Sequence, residues 1–220
     1  MSTLHIDSIT KSYGEKDILR DIYLSCETGK IIGILGKNGC GKSTLLQIIF
    51  GTVKGNSQYI RWNHQILQKQ SDRKNIIAHL PQYTFLPKDI KIKTLITLFC
   101  SNQNSGELFQ NDLIKPFLHK TPKNLSGGEV RLIEILLILY SNAEFILLDE
   151  PFQSLSPKVV SEIKTIIRQH TQNKGFIISD HQYHEVIDMA DELHLLSEGC
   201  LRPIKDLSDL KRFNYLQKNI

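Results

Sequence analysis

The chain has no apolar run long enough to cross a membrane. Its longest runs, such as Ile135-Leu136-Leu137-Ile138-Leu139-Tyr140, fall far short of the ~20 residues that a helical span needs. Work at a membrane would therefore require another chain to cross it. Cysteine is scarce and scattered, at Cys26, Cys40, Cys100 and Cys200. Without a Cys-x-x-Cys pair these suggest neither a metal site nor a disulfide framework, and they fit a reducing compartment. A charge excess of one sign is missing too. The formal net charge of +4 over 220 residues gives no argument for a nucleic-acid partner, and none is expected. The first residues, Met1-Ser2-Thr3-Leu4-His5-Ile6-Asp7, lack the charged-then-apolar pattern of a secretory leader. Internal repeats and low-complexity segments are absent. The composition, 40% hydrophobic and 23% charged, is that of a globular protein. A chain of this length buries roughly 70% of its unfolded surface, so it supports a full core. One domain with a subdomain is expected over residues 1–220.

Against that background one stretch stands out: Gly36-Lys37-Asn38-Gly39-Cys40-Gly41-Lys42-Ser43-Thr44. It fits G-x-x-x-x-G-K-[ST], the phosphate-cradling P-loop. Upstream, Lys30-Ile31-Ile32-Gly33-Ile34-Leu35 reads as a buried strand. Downstream, Leu45-Leu46-Gln47-Ile48-Ile49-Phe50 continues as a helix that Gly51 stops. The glycines let backbone N–H groups turn around an anion, and the helix N-terminus adds partial positive charge. Lys42 then reaches the β- and γ-phosphates, and the Ser43 hydroxyl is placed to ligate Mg²⁺.

Before that loop, Leu4 to Ile9 and Ile18 to Cys26 alternate as strands, with Lys11-Ser12-Tyr13-Gly14 as the turn between them. With Gln58 to Trp62 they make an antiparallel edge sheet. Ile76 to Leu80 reads as a core strand ended by Pro81-Gln82. The next forty or so residues differ in character. Leu95 to Cys100 reads as one short helix and Glu107 to Lys115 as another, stopped at Pro116 and separated by the polar stretch Ser101 to Gly106. Ser126 opens a longer helix to about Tyr140, apolar almost all round and therefore buried. Phe145 to Glu150 is an apolar strand ending in two carboxylates. Ser156-Pro157 starts a helix, with Ser156 as N-cap and Pro157 at N1. Gly175 to His181 is a further buried strand; a helix, a hairpin around Glu198-Gly199 and a C-terminal helix complete the chain. The expectation is an α/β fold: a P-loop NTPase core with a mainly parallel sheet, an N-terminal antiparallel β edge sheet and a small inserted helical subdomain. Residues of about 1–82 and 142–220 form the core and about 83–141 the subdomain. In such sheets ligands bind beyond the carboxyl ends of the strands, where the P-loop, Gln82, Asp149-Glu150 and His181 all fall.

Two further stretches carry chemistry. An Asp at the end of a strand past a P-loop holds Mg²⁺ through water, and the next carboxylate orients an attacking water; these are Asp149 and Glu150. Leu125-Ser126-Gly127-Gly128-Glu129 contains a capping box between Ser126 and Glu129. A capping box does not explain two consecutive glycines, which disfavour a first helical turn but allow close backbone approach to a ligand. A second glycine-rich helix N-terminus is a second phosphate site. Two cradles in one chain suggest that each ATP is held between two chains.

In this order the motifs resemble the nucleotide-binding domain of ABC ATPases over nearly the whole chain. The resemblance implies roles. Tyr13 matches the aromatic that stacks on adenine, and residues 36–44 match Walker A. Gln82 matches the Q-loop glutamine, which contacts Mg²⁺ and the transporter interface. Ser126, Gly127, Gly128 and Glu129 belong to the signature motif that caps the ATP of the opposing subunit. Asp149 and Glu150 match Walker B with its catalytic carboxylate, and His181 matches the switch histidine. ATP contacts are thus expected at Tyr13, Gly36, Asn38, Gly39, Cys40, Gly41, Lys42, Ser43, Thr44 and Gln82. Ser126, Gly127, Gly128 and Glu129 are expected to act in trans. Mg²⁺ is expected at Ser43, Gln82 and Asp149, and catalysis at Glu150, His181 and Lys42. Arg131, Glu134-Ile135, Pro151-Phe152 and Ile178-Ser179-Asp180 resemble the branch serving lipopolysaccharide export and branched-chain amino acid uptake.

Three departures stand against the resemblance. Ser156 occupies the place of a usual Asp, the signature helix carries Leu136-Leu137-Ile138 where a small residue and an Arg are usual, and the stretch from Gln82 to Leu125 is short. The function implied is an ATP-hydrolysing, cytoplasmic subunit at the inner face of the cell membrane. It would act with a second ATP-binding subunit, identical or different, and a membrane-spanning permease. A soluble ATPase with a cytosolic partner, or a nucleotide-sensing module of low turnover, are the alternatives.

Overall fold

The computed structural model describes residues 1–181, 183–206 and 209–210. The described residues form two sheets. The first is antiparallel and comprises β1 (Thr3–Tyr13), β2 (Lys16–Glu27), β4 (Ser57–Trp62) and β5 (Gln65–Ile66), in the order β2-β1-β4-β5. Its inner face is the alternating set Leu4, Ile6, Ile22, Leu24 and Ile60, all buried, as period-2 patterning requires of a sheet with one covered face. The expected edge sheet is therefore present. Its first strand is longer than the sequence suggested: β1 continues through Tyr13, and only Gly14 and Glu15 turn. The pairs Lys11 with Leu19, Ser12 with Asp17 and Tyr13 with Lys16 extend the ladder, and the Ser12 hydroxyl donates to Asp17 at 2.8 Å.

The second sheet contains β3 (Ile31–Leu35), β6 (Ile77–Leu80), β7 (Phe145–Asp149), β8 (Gly175–Ser179), β9 (Glu192–Ser197) and β10 (Cys200–Ile204). Its order is β10-β9-β3-β8-β7-β6, parallel except for the β9–β10 hairpin. β3, β7 and β8 are buried at every residue, so they read as continuous apolar runs, as strands covered on both faces do. The strand order sets the carboxyl ends of β3, β8, β7 and β6 side by side along one edge, and with them the segments that follow each strand.

Among the described residues the sheets are accompanied by the helices α1 (Lys42–Phe50), α2 (Ile92–Phe99), α3 (Asn102–Gln110), α4 (Gly127–Leu139), α5 (Pro157–His170) and α6 (Tyr183–Met189). α1 ends at Gly51 in the left-handed conformation, as its sequence implied. Its last carbonyls are satisfied by buried Arg73, which donates from Nη1 to Ile48 at 2.5 Å and Ile49 at 2.8 Å. α4 is buried from Arg131 to Leu139. The C-terminal helix expected after the β9–β10 hairpin falls on a stretch of which 207–208 and 211–220 lie outside the described residues.

The inserted helices correct the sequence reading. The polar stretch from Ser101 does not separate two helices; it is the first half of α3. Ser101 caps the helix by accepting from Asn104 N at 3.3 Å, and the Asn104 amide donates to the Tyr140 carbonyl at 2.8 Å beyond the end of α4. Tertiary partners thus override a weak local propensity. α3 stops at Gln110, well before Pro116, because the Asn111 side chain accepts from Leu113 N at 2.9 Å and turns the chain. Pro116 sits instead in a 3-10 turn. At α5, Ser156 holds the N-cap position and Pro157 follows, but the Ser156 hydroxyl makes no cap bond.

His79 of β6 is buried against Phe50, with ring centroids 5.4 Å apart. Burial pulls its imidazole down to about 4, opposed by Asp149 and assisted by Arg131. The neutral ring is therefore what the fold holds. Its contribution to stability is complete above the unfolded value near 6.5 and is lost as pH falls from there toward 4. Between pH 7 and 4.5 this amounts to about 2–3 kcal/mol. Urea unfolding at the two pH values should show a correspondingly smaller loss for His79→Phe than for the parent chain; equal losses would exclude His79 as the group responsible.

Candidate functional site

The loop between β3 and α1 is where local sequence and geometry agree most closely. Gly39 and Gly41 have φ of 75° and 110°, the left-handed region that glycine enters without penalty. At Gly41 a Cβ would also lie 2.8 Å from the Ile18 side chain. Lys42 is 6% exposed, and its Nζ donates to Gly36 O at 2.7 Å and Lys37 O at 3.3 Å. The ammonium thus spans its own loop, at the mouth of the α1 N-terminus where an anion is favoured.

Around this loop lies an open cleft of about 500 Å³ lined by Tyr13, Ile18, Asn38, Gly39, Gly41, Lys42, Ser43, Thr44, Gln82, Glu150, Gln153 and His181. Most of the residues singled out from sequence therefore meet in one place. Tyr13 arrives at the end of β1, and the others on the segments after β3, β6, β7 and β8, which the strand order aligns. Tyr13 is half exposed at the rim, with Lys11 Nζ 4.8 Å from its ring centroid. Across the cleft, Gln82 Nε2 donates to Glu150 Oε2 at 2.8 Å, and His181 Nδ1 lies 3.5 Å from the same oxygen.

Other expected residues lie outside this lining. Asp149 sits behind the cleft, 1% exposed, where its carboxylate accepts from Ser179 Oγ at 2.7 Å. Cys40 borders an adjoining hollow, and burial pushes its thiol up, with Lys42 pulling the other way. Ser126 to Glu129 do not border the cleft of their own chain. Ser126 Oγ accepts from Glu129 N at 3.3 Å and Glu129 Oε2 from Ser126 N at 2.7 Å, so the capping box forms as its sequence implied. Ser126 and Gly127 are exposed. Gly127 borders a separate hollow of about 450 Å³ with Gln82, Arg131 and Gln153. Gly128 is fixed by packing: a Cβ there would lie 2.7 Å from Ser154 O.

Three contributors escaped the sequence reading. Gln153 lines the cleft without any motif to announce it. Ser179 is found only through its register opposite Asp149. Arg131 carried no role in sequence, yet its guanidinium binds carbonyls on two sides of the site. Asp180, fully buried, accepts from Phe152 N at 3.3 Å and holds the turn after β7.

For Mg²⁺ the donor chemistry fits. Ser43 offers a hydroxyl, Gln82 an amide oxygen and Asp149 a carboxylate, and Mg²⁺ characteristically takes one or two such groups together with water and substrate phosphates.

A P-loop, a strand-end carboxylate pair and an aligned glutamine and histidine on a parallel sheet define a nucleotide-hydrolysing cassette. Comparisons with known proteins narrow this class. A family model described as "ABC transporter" matches residues 19–153. The lipopolysaccharide export system ATP-binding protein LptB of Haemophilus influenzae is 30% identical over 213 residues, covering 90% of this chain and 88% of the relative. That of Escherichia coli K12 is 30% identical over 216 residues, covering 91% and 89%. Among solved structures, an ATP-binding subunit of an ABC transporter superposes with a TM-score of 0.82 at 20% identity, over 98% of this chain and 94% of the other. A bacterial Atm1-family ABC exporter with ATP bound gives 0.81 at 21%, over 96% of this chain and 40% of the exporter. This chain belongs to the ABC transporter family, as an ATP-binding, ATP-hydrolysing subunit.

Proposed function

We propose that the chain is one of a pair of cassettes that close head to tail on two ATP molecules and, by reopening after hydrolysis, drive a membrane-spanning partner. The convergence of Lys42, Ser43, Gln82, Glu150 and His181 on one cleft carries this reading. Lys42 and the amides of residues 36–44 hold the phosphates, and Tyr13 stacks on the base at the rim. Ser43, Gln82 and, through water, Asp149 would hold Mg²⁺, which when bound neutralises charge on the phosphates. Glu150 orients and deprotonates the attacking water, and His181 stabilises charge developing on the transferred phosphoryl group. Gln82 and His181 both lie against the Glu150 carboxylate, which supports a shared task for the three. Ser126, Gly127, Gly128 and Glu129 close the site of the opposite subunit; the exposure of Ser126 and Gly127 away from their own cleft supports a role in trans.

The second subunit is a copy of this chain or a different cassette, and Ser156 in the place of a usual Asp is easier to accommodate in an unequal pair. Among the described residues no helix is long and apolar enough to cross a membrane; in this reading the spanning part belongs to another chain, with this one at the cytoplasmic face. Affinity purification of the tagged chain from detergent-solubilised membranes and from cytosol, in parallel, tests this. A polytopic membrane protein is expected in stoichiometric amount from the membrane fraction. Recovery wholly from cytosol, with a soluble partner or none, would overturn the transport role.

A further inference from the structure

Arg131 lies on α4, one turn beyond the capping box. It is 6% exposed, and its guanidinium is spread over three backbone carbonyls. Nη1 donates to Pro81 O at 2.7 Å; Nη2 donates to Asp149 O at 2.7 Å and Glu150 O at 2.9 Å. Pro81 immediately precedes Gln82, while Asp149 and Glu150 end β7. One turn along the helix, Glu134 is 1% exposed and places Oε2 3.5 Å from Arg131 Nη1. Its other oxygen accepts from Thr84 Oγ1 at 2.6 Å and Phe85 N at 2.9 Å. Two side chains of one helix thus grip both walls of the ATP cleft: the segment 81–85 and the end of β7.

Glu150 requires such a grip. Its φ is 48°, a left-handed conformation that non-glycine residues adopt only where their surroundings over-determine it. On one side its N–H donates to Ser179 O at 2.7 Å; on the other, Arg131 takes its carbonyl. A planar fork suits this task, because it meets several acceptors in one plane, whereas an ammonium is a single point charge on a flexible stem.

We propose that Arg131 is a positioning residue for hydrolysis: by binding the carbonyls of Pro81, Asp149 and Glu150 it sets the Gln82 and Glu150 side chains relative to each other and aims the Glu150 carboxylate at the attacking water. It touches neither nucleotide nor water itself. The inference rests on the reading of Glu150 as the hydrolytic carboxylate.

The test compares Arg131→Lys, Arg131→Met and Glu150→Gln in the full chain, measuring kcat, the Kd for ATP and the thermal midpoint separately. Misplacing a catalytic group by an ångström costs about 100-fold in rate. Arg131→Lys should therefore lower kcat by about 10- to 100-fold while the Kd for ATP stays within about threefold, with Arg131→Met lower still. If the methionine variant fails to fold, the lysine variant alone decides. A kcat for Arg131→Lys within about twofold of the parent would overturn the proposal. So would a loss confined to Kd and thermal midpoint, which marks a merely structural residue. Turnover near that of the parent in Glu150→Gln would overturn the assignment of Glu150, and this proposal with it; abolished turnover there with normal kcat in Arg131→Lys overturns only the positioning role.

Discussion

Glu150→Gln should leave nucleotide binding intact, abolish turnover and trap a dimer. The substitution is close to isosteric and keeps an oxygen for the Gln82 amide, which donates to Glu150 Oε2 at 2.8 Å. The phosphate-holding groups lie elsewhere, on residues 36–44, so the Kd for ATP should change by no more than about threefold. What is removed, in the proposed mechanism, is the group that accepts a proton from water. General-base catalysis is worth about 10²–10⁴-fold, and a loss of at least about 100-fold in kcat is expected. With hydrolysis blocked, the ATP-bound pair has no route to reopening. Size-exclusion chromatography with Mg²⁺ and ATP should show a dimer that the parent chain does not accumulate. Turnover within tenfold of the parent would remove Glu150 from its proposed role.

Mixing two dead variants should restore activity. Lys42→Met removes the ammonium from the phosphate loop. Gly128→Val places side-chain atoms where even a Cβ would come within 2.7 Å of the Ser154 carbonyl, and so displaces the signature turn from the surface it presents. Each variant alone damages both sites of a symmetric pair, and turnover should fall by at least about 100-fold. In a mixed pair the outcome differs. One site combines both defects, while the other joins the intact phosphate loop of one chain to the intact signature turn of its partner. Random pairing then predicts about one quarter of the parent activity in an equal mixture. A mixture no better than its components would sink the shared-site reading.

The phosphate loop was legible in sequence because everything it requires is local. Two glycines at positive φ, a lysine and a hydroxyl, a buried strand before and a helix after all lie within twenty residues. The same holds for the capping box at Ser126 and Glu129 and for the stop at Gly51. The inserted helices were less legible. α3 begins in a stretch of Ser, Asn and Gln that favours turns, and it forms because Asn104 finds the Tyr140 carbonyl beyond α4, a partner no local pattern announces. Ser156 shows the opposite case: its position as N-cap was readable, but the side-chain cap bond that the position implies does not form.

The sequence by itself determined the α/β class, the antiparallel edge sheet and the parallel core, and it singled out most of the residues that line the cleft, since these follow from periodicity and from chemistry confined to short stretches. Tertiary structure alone decided which of those residues meet. The order β3-β8-β7-β6 brings His181 and Gln82 to the Glu150 carboxylate, although the three lie far apart in the chain. It also decided that Glu150 stands in a left-handed conformation with its carbonyl held by Arg131. The physical reason is that strand order is set by burial of whole apolar strands, and that a guanidinium bound to backbone carbonyls reads only the path of the chain, which every sequence shares and no motif records.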